Sequence, residues 1–151
     1  MAATQVLILC TANSSRSQMA EGLLRHIAGK SLDVYSAGAQ PSAVNPLAIR
    51  AMTARGLDIS THRSKSVMEF FDQPFNYVVT VCDHAAESCP FFPGKAERIH
   101  WSFPDPAAVI GTEDERLASF VSVRDNLETT LKTWYESLAL NGSFPAPSAL
   151  I

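Results

Sequence analysis

The run Gln5 to Cys10 (QVLILC) breaks off into five small residues, Thr11 to Ser15, and a helical pattern begins at once. Nothing else in the chain constrains the fold as much. A near-continuous apolar run of this length is a strand buried on both faces. Met19, Ala20, Leu23, Leu24 and Ile27 then share one helical face, and Gly29 is the stop. A doubly covered strand leading directly into a helix is the opening unit of a parallel α/β sheet.

The alternation continues. Leu32 to Ala37 is a second strand, ended by Gly38. Pro46 opens a helix that carries Leu47, Ile49, Ala51, Met52 and Ala54 to a Gly56 cap. Ser60 to Phe71 reads as a cap followed by a short helix. Asn76 to Cys82 is the third strand, and Arg98 to Trp101 is a short fourth. Asp114 to Leu140 is a long closing helix, with Leu117, Phe120, Val121, Val123, Leu127, Leu131 and Trp134 for its buried side. The expectation is a single α/β domain over residues 1–140, a four-stranded parallel sheet flanked by helices on both faces. A flexible tail rich in Ser, Pro and Ala follows at 141–151. Ligands of such folds sit outside the carboxyl ends of the strands. Cys10, Cys82 and the loop holding Asp105 converge there.

Charge and cysteine usage exclude other classes. A formal charge of −3 argues against a broad nucleic-acid-binding surface. Val6 to Leu9 is too short for a membrane span, and no basic stretch precedes it, so the expected compartment is the cytoplasm. Three cysteines, an odd number, do not make a stapling framework in a reducing compartment.

The segment Cys10-Thr11-Ala12-Asn13-Ser14-Ser15-Arg16 places a Cys and an Arg around small residues, between a strand and a helix. Small side chains let the backbone curl with several N–H groups inward, and the helix N-terminus adds its dipole, so Thr11, Ala12, Asn13, Ser14 and Ser15 form an oxyanion cradle. Arg16 supplies a planar fork of donors for two oxygens of a tetrahedral anion. The same positive field favours a thiolate on Cys10, making it a nucleophile at neutral pH. Ser17 can donate a hydrogen bond to that sulfur.

Cys82 and Cys89 leave three readings open. If the stretch between them were helical, its seven-residue rise of roughly 10 Å would exceed the Cα spacing of about 7 Å a disulfide tolerates. A bond between them would then require the turn to unwind, which is a redox switch. Two core cysteines is the plainer reading. A zinc site would need His84 and His100, at a poor ligand spacing. Asp105, between Pro104 and Pro106, is a turn residue or a general acid held over the oxyanion. His26 reads as exposed, His62 as hydrogen-bonded locally after a Ser60 cap, and Trp101, Phe91 and Phe92 as packing residues.

Cys10 to Gly22 (CTANSSRSQMAEG), Val81-Cys82 through Cys89-Pro90, and His100-Trp101 through Asp105-Pro106 together resemble the thioredoxin-coupled arsenate reductases, which are built on the low-molecular-weight protein tyrosine phosphatase fold. The resemblance spans about Val6 to Leu138. It implies that Cys10 attacks arsenate held by the loop and Arg16, and that Asp105 protonates the departing hydroxide. Cys82 and then Cys89 would resolve the adduct through successive disulfides, which thioredoxin reduces. It implies a monomer with arsenate as substrate, phosphate as a weak competitor, and no bound metal or cofactor.

Two other readings use the same residues: a low-molecular-weight tyrosine phosphatase, and an oxyanion-responsive redox sensor that reacts once and stops. The phosphatases stack phosphotyrosine on aromatic residues just after Asp-Pro, where this chain has Ala107 and Ala108. Some relatives hold a monovalent cation with residues matching Asn13, Glu21 and Ser36. A further acidic ligand is replaced here by Lys65, so the expectation is that its ammonium takes the place of potassium. Ser15 stands where some relatives carry another cysteine, leaving only the three-cysteine relay.

Overall fold

A computed structural model describes residues 4–83 and 96–140. Four strands, β1 (Thr4–Cys10), β2 (Leu32–Gly38), β3 (Tyr77–Thr80) and β4 (Glu97–His100), form one sheet in the order β2-β1-β3-β4, and every pairing is parallel. The register aligns Cys10 with Gly38, Leu9 with Thr80, and Thr80 with His100. The carboxyl ends of the strands therefore form one rim. Because β2 and β3 flank β1, chain connections diverge at the end of β1, the position where open parallel sheets bind ligands.

Three helices, α1 (Arg16–Ala28), α2 (Pro46–Ala54) and α3 (Glu113–Leu140), pack on one another among the described residues. They lie over the sheet face that carries Ser36 and Tyr77: Ser36 reaches Glu21 of α1, and Tyr77 packs edge-on against Trp134 of α3. Alternation along β2 puts Tyr35 on the opposite face. There its ring meets Phe70 and Phe75, beside a short 3-10 turn at Val67–Phe70. Among the described residues the α-helices thus cover one face, and this 3-10 turn lies on the other, where flanking helices were expected.

Local chemistry explains the boundaries. Gly29 ends α1 at φ +56°, where a side chain would be strained. Asn45 caps α2 by accepting from the Leu47 N–H, ahead of Pro46 in the first turn. On α3, Phe120, Val123, Leu127, Leu131, Tyr135 and Leu138 are buried, whereas Leu117, Val121 and Trp134 are only half-buried. The edge of β2 is hooked by Arg25, whose Nε and Nη2 both donate to the Val34 carbonyl. No helix among the described residues is long and apolar enough to cross a membrane.

Two expectations need correction. The third strand ends at Thr80, not Cys82: the Val81 N–H still bonds to Leu9 O, and Cys82 lies beyond the sheet. Ser60 to Phe71 is not a capped helix. Only Val67–Phe70 turns, and its cap is Ser66, which accepts from the Met68 N–H. The residues before it run as a strap along the loop that follows β1, bridging Gly38 at Ser66. Its sequence THRSKS has no apolar periodicity to hold a helix, and its hydrogen bonds go to the loop instead.

Candidate active site

The loop Thr11–Ser15 is held from outside by its carbonyls. Thr11 O accepts from Gln40 N–H, Ala12 O from Ser42 N–H and the Ser64 hydroxyl, Ser14 O from Asn45 N–H, and Ser15 O from Met19 N–H. Asn13 O accepts from the Gln18 side-chain amide. Among the described residues, no hydrogen bond uses the N–H of Ala12, Asn13, Ser14 or Ser15. With the carbonyls turned out, these amides are left for the concave side, where an oxyanion would lie. The cleft that the loop floors is about 370 Å³ and is lined by Cys10, Thr11, Ala12, Ser14, Ser15, Arg16, Asp105 and Ala107.

Asn13 is the corner of the curl. Its φ is +48°, a conformation that Asn tolerates better than most residues. Every polar valence of its side chain is used. Oδ1 accepts from the Lys65 N–H at 2.8 Å and from Gln18 Nε2 at 2.9 Å. Nδ2 donates to Ser17 Oγ at 2.8 Å and to Ser36 Oγ at 3.0 Å. Ser36 in turn donates to Glu21 Oε1 at 2.6 Å.

This chain has a fixed direction. The Glu21 carboxylate only accepts, so the Ser36 hydroxyl must donate to it. The Asn13 amide, oriented by the two donors on its oxygen, then gives both its protons to Ser36 and Ser17. Ser17 Oγ accepts from Asn13 and keeps its own proton, which it can give to a thiolate at Cys10 Sγ, 2.8 Å away. The role predicted for Ser17 has the required geometry, and a donated hydrogen bond favours the thiolate.

Glu21 is buried and meets three basic groups: Arg25 Nη1 at 3.3 Å, Lys65 Nζ at 3.6 Å and His62 Nε2 at 3.6 Å. Lys65 Nζ also donates to Arg63 O at 3.0 Å. Burial pulls Lys65 below its ordinary value, and Glu21 pushes it back up. Burial likewise lowers His62, opposed by Glu21 and reinforced by Arg25 and Lys65. His62 does not bond locally as expected. Its Nδ1 lies 3.0 Å from Gln18 Oε1, an acceptor, so that nitrogen carries the proton.

Arg16 Nη1 donates to Phe103 O at 2.9 Å, which ties the Arg16 side chain to the loop that holds Asp105. Asp105 both caps and faces the cleft: its Oδ1 accepts from the Ala107 N–H at the start of the turn Pro106–Ala108. Cys82 is buried on the rim beside the loop, its Sγ 3.4 Å from Thr11 Oγ1. Cys89, His84, Phe91, Phe92 and the tail 141–151 lie outside the described residues. His100, part of the zinc reading, is engaged instead by Thr80 and Asp83. Trp101 packs edge-on against Trp134, as expected.

Gly38, Gln18, Ser64 and the Lys65 backbone escaped the sequence reading as parts of the cradle. A Cβ on Gly38 would sit 2.5 Å from Thr11 O and 2.8 Å from Asn13 N, so only glycine lets the loop lie on the end of β2. The only local signal was a glycine at a strand end.

Comparison with known proteins matches residues 5–143 to the low molecular weight phosphotyrosine protein phosphatase family. The arsenate reductase of Halalkalibacterium halodurans is 46% identical over 132 residues, covering 87% of this chain and 95% of that protein. That of Bacillus subtilis is 42% identical with the same coverage. A thioredoxin-dependent arsenate reductase of Corynebacterium glutamicum superposes with a TM-score of 0.73 at 27% identity. It matches 92% of this chain, which spans only 63% of that one. An arsenate reductase solved in its oxidised state gives 0.74 at 28% identity, with 86% and 95% covered.

Proposed function

The chain belongs to the low molecular weight phosphotyrosine protein phosphatase family, and from that premise we propose that it reduces arsenate to arsenite with three of its own thiols, in a reducing cytoplasm. The observation that supports the reading is the coexistence, on one rim, of a cleft floored by the Thr11–Ser15 loop, the Cys10 thiol beside Ser17, and a second buried thiol beside Thr11.

Arsenate is held by the loop amides and the free donors of Arg16. The Cys10 thiolate attacks arsenic, an As–O bond breaks, and the departing hydroxide takes a proton from Asp105 to leave as water. The Cys82 thiolate then attacks Sγ of Cys10. The S–S bond forms, the S–As bond breaks, and the electron pair stays on arsenic, which departs as As(III). Cys89 attacks Sγ of Cys82 and frees Cys10 as a thiolate. Thioredoxin reduces the Cys82–Cys89 disulfide and is itself oxidised. Phosphate, of the same shape as arsenate, competes weakly.

The monovalent cation of some relatives does not fit this chain. The Asn13 and Ser36 oxygens that would hold it are committed to protein donors and to Glu21, and the Lys65 ammonium already stands beside that carboxylate. The tyrosine phosphatase reading lacks its aromatic wall, since Ala107 lines the cleft at that place.

The test is arsenate-dependent NADPH oxidation with thioredoxin and thioredoxin reductase, on wild type and Cys89→Ser. Wild type should turn over, and the variant should stop after one equivalent. Sustained turnover by the variant would point to a small-thiol reductant. Brisk hydrolysis of para-nitrophenyl phosphate with no arsenate turnover would make the chain a phosphatase.

A further inference from the structure

Cys82 is the first residue of the relay that must both stay near Cys10 and later leave it, yet it lies past the end of β3, where the sheet no longer holds it. The next residue is tied down. Asp83 Oδ1 lies 2.8 Å from His100 Nε2, and His100 Nδ1 lies 2.7 Å from Thr80 Oγ1. One direction is fixed. A carboxylate only accepts, so Nε2 carries a proton, and Nδ1 is left to pair with the Thr80 hydroxyl. Thr80 is buried at the end of β3 and His100 ends β4. The contact therefore runs from two strand ends to the residue directly after the thiol. Its hydrogen bond to His100, with a second to Ser102, holds the Asp83 carboxyl below the usual carboxylate range, and Arg16 adds to this from across the rim.

From this geometry we infer that Asp83 and His100 are positioning residues for the second chemical step: they pin the backbone after Cys82 so that its sulfur stays beside Thr11, within reach of the Cys10 adduct. The inference rests on the relay proposed above. A pin placed here holds Cys82 in an attack position, and attack rates depend steeply on such placement. It is also exposed, with the Asp83 side chain 74% accessible, so it can yield when Cys82 passes to Cys89.

The experiment uses Cys89→Ser as background and measures formation of the Cys10–Cys82 disulfide after one addition of arsenate, by quenched-flow and mass spectrometry. If the background itself forms no such disulfide, the relay is wrong and the pin falls with it. If it does, Asp83→Ala and His100→Ala should each slow the step by about tenfold, and the double variant should be no slower than either. His100→Gln, which keeps a donor near the position of Nε2, should recover most of the rate. Alkylation of Cys10 by iodoacetamide should be unchanged throughout, since the cradle does not depend on the pin. An unchanged disulfide rate in Asp83→Ala would overturn the inference. So would multiplied effects in the double variant, or a parallel fall in Cys10 alkylation, which would mark a general disturbance of the rim.

Discussion

The loop leaving β1 and the chain leaving β3 start from the same rim, but the structure treats them differently. The first is overdetermined: each carbonyl from Thr11 to Ser15 has its own donor, drawn from α1, from the segment between β2 and α2, or from the strap before Val67. The second sets Cys82 Sγ beside Thr11 and anchors the following residue through the exposed Asp83–His100–Thr80 chain. A loop that presents fixed dipoles to an anion gains from rigidity. Under the proposed relay, in which one thiol attacks and is then attacked, a hold at the exposed rim that can open is the fitting counterpart.

The largest effect expected from breaking this contrast is at Gly38. Gly38→Ala drives a methyl group into the backbone of Thr11 and Asn13, so arsenate turnover should fall by about a hundredfold or more, with the melting temperature reduced as well. A variant with near-normal kinetics would show that the loop is more pliable than its hydrogen bonds imply. Ser17→Ala removes the partner of Cys10 Sγ and also the acceptor of one Asn13 Nδ2 proton. Alkylation of Cys10 at neutral pH should slow by about tenfold and recover as the pH is raised, with the melting temperature lowered modestly by the unpaired Asn13 proton. A pH-independent loss would mean that Ser17 acts through packing.

Potassium should leave the arsenate rate flat in wild type, because Lys65 supplies the charge beside Glu21. Lys65→Asp should introduce potassium dependence, and strong activation of wild type would sink the idea.

The smallest effect concerns stability. Burial holds His62 below its ordinary value in the folded chain. Below about pH 6.5 the unfolded chain therefore binds a proton that the folded chain refuses, and stability is lost as the pH falls through that window. Melts across the window should show a steeper decline for wild type than for His62→Gln, and equal slopes would remove His62 from the account.

The contiguous features were legible in the sequence. Strand runs, helix faces and the Cys10–Arg16 loop are written in neighbouring residues, and so is the Asp105 turn. What escaped was long-range. The Lys65 backbone N–H reaches Asn13 across 52 positions and His62 reaches Gln18 across 44, and neither contact leaves a periodic trace. The strap was misread as a helix for the same reason: its polar residues are satisfied by the loop, a partner that local pattern cannot reveal. Asp83 and His100 stand 17 positions apart, and no local pattern joins them.

The outward tethering of the β1 loop has a consequence for biogenesis. The donors that shape it come from positions scattered between Gln18 and Lys65, so it cannot assemble until those parts of the chain have come together. The shape that this loop presents to the cleft is therefore a property of the completed fold alone, and no shorter stretch of the chain can display it.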